Sequence, residues 1–180
     1  MFLKKIYINK TANQVMQEHA YNGIPKEVGG FLLGRPCNEA GNHLIWVIEA
    51  LEGDCESYRS SVVIKSSTYD KAWKGIEENG LVMVGWYHTH PGFGIFLSRT
   101  DVDTMKLYYN RPYNIAVVLD PINNECGAFG WKDPSSDDEL GIIPSSVFIG
   151  ENHCRYFRNL TNSKSPKVPK EHYDEGSRHH

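Results

Sequence analysis

Apolar and polar positions along the chain fall into two alternating kinds of stretch. Short runs rich in β-branched and aromatic residues, bounded by turn residues, are typical of buried strands. Such runs predict strands at the N-terminus and at about residues 28–34, 43–51, 61–66, 81–87, 115–119 and 128–131. Between them lie stretches with helical spacing of apolar residues. This alternation indicates an α/β fold.

Two of the helical stretches precede the central motif of the chain. The first covers about residues 12–23 and ends at an Asn-Gly pair, with His19 as an ordinary residue of a helix face. The second covers about residues 68–79, with Trp73 and Ile76 expected to face inward.

The most specific chemical signal follows the apolar strand 81–87. His88 and His90 alternate along that strand, so both imidazoles are expected on one side of it. A stretch with proline and glycine then turns away and leads to Ser98. Ser-x-x-Asp before an amphipathic run marks a helix start. Asp101 is therefore expected in the first helical turn, directed back towards the end of the strand.

This group of side chains predicts a catalytic metal site. Two imidazoles and one carboxylate leave a fourth tetrahedral position for water, and His88, His90 and Asp101 are the candidate zinc ligands. Asp103 is the rival carboxylate, but its place further round the helix directs it elsewhere. Ser98 and Asp101 also have a purely structural interpretation as a helix cap and a dipole-favoured acid, which is compatible with metal binding.

Hydrolysis at such a site needs a group that takes a proton from water and protonates the leaving amine. Glu27 is the candidate, because it opens the apolar strand 28–34, an unusual position for a solvated charge. The alternative is that Glu27 only ends a turn after Pro25. The segment alone does not decide between these interpretations.

Taken together, the motifs resemble the JAMM (MPN-plus) metalloprotease family, and most of all its proteasome-lid deubiquitinase branch. The resemblance covers about residues 1–132. It rests on Glu-Val-Gly-Gly-Phe-Leu-Leu-Gly at 27–34, Gly-Trp-Tyr-His-Thr-His-Pro-Gly-Phe-Gly at 85–94, Leu-Ser-x-x-Asp at 97–101, and continues at 113–121 and 127–130. The fold that it implies is a single MPN (JAB-like, cytidine-deaminase-like) domain with a central mixed β-sheet flanked by helices. The compact architecture is similar to that of prokaryotic members.

The resemblance also implies a role for each candidate residue. His88, His90 and Asp101 would hold one catalytic Zn²⁺, Glu27 would act as general base and then general acid, and Ser98 would help to stabilise the oxyanion. The family hydrolyses the bond after the C-terminal Gly-Gly of ubiquitin or ubiquitin-like modifiers. The motif is complete here, which argues against an inactive MPN scaffold.

Substrate engagement is expected next to the metal. In the family the extended modifier tail pairs with a strand edge, for which the stretch 56–63 is the candidate here. Phe93 and Phe96 are candidates for a groove that admits only glycine, and Trp86 is either part of that groove or a core residue. Conjugates of ubiquitin or a ubiquitin-like protein are the expected substrates. Activating and conjugating enzymes of the same pathway are the other suggested partners.

Composition narrows the remaining function classes. The net charge of -3 and the absence of a basic stripe argue against nucleic acid as a partner. No apolar run is long enough to cross a bilayer. The N-terminus lacks the features of a signal peptide. The scattered cysteines indicate free thiols in a reducing cytoplasm; they are Cys37, Cys55, Cys126 and Cys154.

The expected organisation is a catalytic domain at 1–132, an extension at 133–160 packed on or near it, and a disordered tail at 161–180 that ends in the remnant of a tag. One more strand or helix is expected at 147–157. Three functions stay open: an isopeptidase for a ubiquitin-like modifier, a peptidase that processes a sulfur-carrier protein, and a non-catalytic interaction scaffold.

Overall fold

The computed structural model describes residues 5–39, 42–58, 61–131, 142–150 and 161–162. The expected boundaries of the catalytic domain at 1–132, the extension at 133–160 and the tail from 161 stay predictions. Most of the chain beyond residue 131 lies outside the described ranges. Of the strand or helix expected at 147–157, residues 147–150 belong to a strand and 151–157 lie outside the described residues. No described helix has the length and apolar character needed to cross a membrane.

The described residues contain three helices and ten strands. The helices are α1 Lys10–Gly23, α2 Ser66–Asn79 and α3 Arg99–Tyr108. The strands are β1 Lys5–Asn9, β2 Gly29–Glu39, β3 Asn42–Glu52, β4 Cys55–Tyr58, β5 Ser61–Ile64, β6 Val82–Thr89, β7 Ile115–Asp120, β8 Glu125–Trp131, β9 Ile142–Gly150 and β10 Thr161–Asn162.

The main sheet is mixed and has the strand order β1-β3-β2-β6-β7-β8-β9-β10. Its parallel pairs are β1–β3, β1–β9 and β6–β7, and the other pairs are antiparallel. Because β9 pairs with both β8 and β1, the pairings form a closed circuit. Strands β4 and β5 form a separate two-stranded sheet. The expected mixed sheet with flanking helices is confirmed.

The sheet is covered by α1 on one face and by α2 and α3 on the other. Met16 of α1 packs in one core cluster with Val84 and Tyr87 of β6. Trp86, also on β6, packs with Met105 of α3 in a second cluster. A strict alternation would place Val84 and Trp86 on the same face. The irregularity in the β2–β6 ladder, where pairing passes from Gly85 to Met83 and skips Val84, separates them.

One packing prediction is wrong. Trp73 on α2 was expected to face inward, but 61% of its surface is exposed, whereas Ile76 is half-buried against the second core cluster. Helical periodicity allowed either side of α2 to face the sheet at this point. The buried side is marked by Thr68 and Ala72, whose small side chains allow close packing.

Candidate metal centre

His88 lies near the end of β6 and His90 directly follows the strand, which is buried throughout its second half. His88 pairs with Val118 of the parallel neighbour β7 and with Gly29 of the antiparallel neighbour β2. Beyond the strand, the His90 N–H donates to the Leu119 carbonyl at 2.8 Å. The backbone of both histidines is therefore held by the centre of the sheet.

The structure brings His88 and His90 together with Asp101 in the first turn of α3. His88 Nε2 lies 3.1 Å from His90 Nε2 and 3.2 Å from Asp101 Oδ2. The distance from His90 Nε2 to the same carboxylate oxygen is 3.6 Å. All three residues are buried. Within the described part of the chain, this is the only group of three such residues arranged to hold a metal ion.

The three distances lie within about 0.2 Å of the range expected for ligand atoms around a tetrahedral metal ion. With metal–ligand bonds of about 2.0–2.2 Å, the ligand atoms around zinc lie about 3.3–3.6 Å apart. In addition, the Nδ1 atoms of His88 and His90 are buried and have no hydrogen-bond partner among the described residues. The Nε2 atoms, which face Asp101, are therefore the candidate metal-binding atoms, and the Nδ1 atoms would then carry the ring protons.

The surroundings of Asp101 favour the ionised form of its carboxylate. Burial alone would raise the pKa of Asp101, but attraction from His88 and hydrogen bonds from His88, His90 and Ser98 outweigh it, and the net pKa lies far below its usual range. Burial lowers the pKa of His88, against the opposing attraction of Asp101. An ionised Asp101 carboxylate is the form that a divalent cation requires as a ligand.

A capping box places Asp101. Its backbone N–H donates to Ser98 Oγ at 3.2 Å, and the Ser98 N–H donates to Asp101 Oδ2 at 2.7 Å. The structural interpretation of these two residues is thus correct, and it coexists with the metal-binding geometry. Asp103, the rival carboxylate, is exposed.

Aromatic rings hold the imidazoles in place. Trp86 stacks on His88 with ring centroids 4.4 Å apart, and Phe96 packs on His90 at the same centroid distance. Only 3% of Trp86 is exposed, so it is a core residue rather than part of a groove. Phe93, a candidate residue of the groove, is 70% exposed.

Glu27 lies on the same side of the sheet as the histidines. Val28 and Thr89 extend the β2–β6 ladder, since the Val28 N–H donates to Thr89 Oγ1 and the Thr89 N–H donates to the Val28 carbonyl, each at 2.9 Å. Gly29 lies opposite His88, and a Cβ at Gly29 would contact the His88 Cβ at 3.4 Å. Alternation from Gly29 puts Glu27 on that face.

The surroundings of Glu27 disfavour its charged form. The residue is 8% exposed. Burial raises the pKa of Glu27, His90 opposes this effect, and Asp101 adds to it. A carboxyl group with a raised pKa next to a metal-binding group suits proton transfer near neutral pH.

A hairpin formed by β4 and β5 adjoins this side of the site. Ser57 Oγ donates to the Glu27 carbonyl, and Cys55 Sγ donates to the Gly29 carbonyl at 3.2 Å. Its strands contain residues 56–58 and 61–63 of the stretch expected to engage a substrate tail, whereas residues 59–60 lie outside the described residues. Val63 on β5 is exposed. Cys37, Cys55 and Cys126 are free thiols, and Cys154 lies outside the described residues.

Sequence reasoning assigned no role to two buried polar contacts near the site. The Tyr87 hydroxyl, on the opposite face of β6 from the histidines, is hydrogen bonded to His19 Nδ1 at 2.8 Å. Asp120 at the end of β7 accepts backbone N–H donors from the loop that follows His90. An Asp-Pro pair after a buried strand signals a turn, but the pattern does not tell which donors the carboxylate receives.

Comparisons with known proteins support this assignment of the fold. The profile of the family described as "JAB1/Mov34/MPN/PAD-1 ubiquitin protease" matches residues 2–111. COP9 signalosome complex subunit 5 of Eremothecium gossypii is 33% identical over 168 residues, which cover 87% of this chain and 39% of that protein. The 26S proteasome regulatory subunit rpn11 of Schizosaccharomyces pombe is 28% identical over 168 residues, 91% of this chain and 52% of that protein.

The chain therefore spans about half or less of the length of these relatives. Among solved structures, protein DSY2949 from Desulfitobacterium hafniense aligns with a TM-score of 0.58 and 22% identity, over 86% of this chain and 99% of that one. At this identity the likeness concerns the fold alone.

Proposed function

Because this chain belongs to the JAB1/Mov34/MPN/PAD-1 ubiquitin protease family, we propose that it is a zinc-dependent isopeptidase. Its reaction would be hydrolysis of the bond after the C-terminal Gly-Gly of a ubiquitin-like modifier. One observation carries the proposal above all. Three buried ligand atoms of His88, His90 and Asp101 lie within 4.8 Å of one another, on the face of the sheet that also carries Glu27.

In the proposed mechanism, His88 and His90 would hold the ion through Nε2 and Asp101 would hold it through Oδ2. Zinc supplies a Lewis acid that lowers the pKa of water to about 7. The Glu27 carboxylate accepts the proton of the attacking water and returns it to the leaving amine. The burial that raises the pKa of Glu27 makes its carboxylate a stronger base towards the water proton and helps it to hold that proton until the proton is passed to the amine.

Ser98 is proposed to stabilise the oxyanion. Its Oγ accepts the Asp101 N–H at 3.2 Å, and its hydroxyl, which hydrogen bonds to the Asp101 carboxylate in this structure, would rotate to donate to a substrate oxygen. A donor in such a position contributes about 3 kcal/mol to transition-state stabilisation.

The hairpin β4–β5 is proposed as the binding surface for the modifier tail. It adjoins Glu27 through Ser57 and Gly29 through Cys55, so an extended peptide along it would arrive at the metal-binding group. Main-chain pairing with a strand edge explains how a tail can bind with few side-chain contacts. The related proteins are named as subunits of the COP9 signalosome and the 26S proteasome. For this chain we propose a modifier conjugate as substrate, enzymes of the same modifier pathway as partners, and the cytoplasm as location.

Cleavage of a panel of Gly-Gly-linked substrates tests the proposal. The panel holds ubiquitin chains, linear ubiquitin fusions and ubiquitin-like or sulfur-carrier proteins fused to a reporter. We expect Glu27→Ala to keep zinc and lose cleavage, because Glu27 is not a ligand. In contrast, His88→Ala should lose both.

Glu77→Ala is the matched control, since Glu77 is an exposed glutamate on α2. It should cleave like the wild type. A zinc-loaded and fully active Glu27→Ala protein would refute the mechanism. Cleavage of sulfur-carrier fusions alone would select the processing peptidase, and a wild type without zinc or cleavage would select the scaffold.

A further inference from the structure

Asp120 is a buried carboxylate that the proposed reaction does not use. Its side chain is 0% exposed and lies at the end of β7, next to the point where β6 ends at the histidines. Asp120 accepts five hydrogen bonds, four of them from backbone N–H groups. A buried carboxylate with so many donors stays charged, since they outweigh the burial that alone would raise the pKa of Asp120.

The two carboxylate oxygens of Asp120 bind different donors. Oδ1 accepts the N–H groups of Gly92, Ile122 and Asn123 at 2.8, 3.0 and 3.1 Å. Oδ2 accepts the Gly94 N–H at 2.8 Å and Asn123 Nδ2 at 2.7 Å. The side chain thus joins the loop after β6 to the turn between β7 and β8.

The loop it holds connects the parts of the candidate site. Residues 91–97 run from His90 to Ser98, and within them Gly92 and Gly94 have φ angles of 82° and 83°. Glycine in this region has no intrinsic preference that would hold one conformation. Phe96, which packs on His90, belongs to the same loop. A hydrolytic site needs its groups placed to within about 0.5 Å. The conformation of this loop must therefore be fixed by contacts from outside the loop.

We propose that Asp120 is a positioning residue, which sets the loop between His90 and Ser98 through its hydrogen bonds to the N–H groups of Gly92 and Gly94. This inference rests on the proposed function for its effect on cleavage, but not for its effect on the loop. The Gly94 contact is the specific element, because Oδ2 has no other backbone donor among the described residues.

The variant Asp120→Asn isolates that contact. The introduced amide can keep its oxygen on the three backbone donors of Oδ1, but its NH₂ group then faces the Gly94 N–H and Asn123 Nδ2, which are also donors. A flipped amide would lose three backbone acceptor contacts instead and is therefore disfavoured. We expect faster hydrogen exchange at Gly94 with unchanged zinc content. The kcat should fall about ten- to a hundredfold, as for other residues that orient a metal site indirectly.

Two matched variants separate positioning from general stability. Asn123→Ala removes the side-chain donor on Oδ2 and leaves Gly94 in place, so its kcat and Gly94 exchange should stay at the wild-type values. The double variant Asp120→Asn/Asn123→Asp restores both the net charge and a pairing between the two side chains, but not the acceptor for Gly94. It should remain impaired like the single variant Asp120→Asn.

Recovery of kcat in the double variant, while hydrogen exchange at Gly94 stays fast, would overturn the proposal. Wild-type values of both kcat and Gly94 hydrogen exchange in Asp120→Asn would also overturn it. If the wild-type protein cleaves no substrate, the proposed function fails separately. The positioning role is then decided by Gly94 exchange and by the rate of zinc release to a chelator. Both should increase in Asp120→Asn and not in Asn123→Ala, and equal values in the two variants would refute it.

Discussion

Replacing Asp101 by asparagine separates the metal-binding role of this residue from its structural role. Asp101 Oδ2 lies 3.2 Å from His88 Nε2 and also accepts the Ser98 N–H at 2.7 Å. The Asp101→Asn variant keeps the size and most of the capping capacity of the side chain but removes its charge. Asp103→Asn, two residues further along α3, makes the same chemical change at an exposed site.

The expected effect of Asp101→Asn can be calculated in two parts. Loss of the charge-assisted bond to Ser98 costs about 1 kcal/mol in the zinc-free protein, which corresponds to a Tm lower by about 2–4 °C. At a zinc concentration about 1,000 times its dissociation constant, the wild type gains about 4 kcal/mol, or about 8–16 °C. Without the carboxylate ligand, most of this second part should disappear.

Thermal unfolding with and without zinc, at one mildly alkaline pH, measures both parts. The wild type and Asp103→Asn should show the large zinc-dependent rise in Tm, and Asp101→Asn only a small one. A full zinc-dependent rise in Asp101→Asn, or its loss in Asp103→Asn, would refute the assignment of Asp101 as the carboxylate ligand. Elemental analysis of dialysed protein gives the zinc content independently.

Three further predictions concern the packing around the site. Gly30→Ala should lower the free energy of unfolding in urea by about 3 kcal/mol or more, because its Cβ would lie 1.9 Å from a backbone oxygen and 2.6 Å from the Tyr87 ring; an unchanged midpoint would contradict this. Tyr87→Phe should cost about 1 kcal/mol through the lost bond to His19, and a double-mutant cycle with His19→Ala that shows no coupling would disprove it. Trp86→Ala should lower the free energy of unfolding by about 3–5 kcal/mol, and Trp73→Ala by less than about 0.5 kcal/mol, because the two side chains are 3% and 61% exposed. Similar losses for the two variants would contradict the buried position of Trp86 and the exposed position of Trp73.

Among the described residues before 132, sequence periodicity located every helix and strand except the short β4, although not their exact ends. It also placed both histidines on one side of β6, and Asp101 in the first turn of α3 directed towards them. These inferences succeeded because each depends on neighbours in the chain. The period of a strand and the Ser-x-x-Asp cap are local properties of the backbone.

The position of Glu27 required tertiary structure. The residue is 61 positions before His88, and only the antiparallel pairing of β2 with β6 brings the two segments together. The sequence alone left open whether Glu27 merely ended a turn. A register shift of one residue would have moved its side chain to the opposite face of the sheet.

The sequence was therefore sufficient to identify the candidate metal-binding side chains and the secondary structure that presents them. Tertiary structure decided the outward position of Trp73, the irregularity that separates Val84 from Trp86, and the donors that Asp120 receives from two different loops. Local periodicity fixes which side chains share a face of one element. Which face is buried, and which distant backbone supplies a partner, depends on how separate elements pack together.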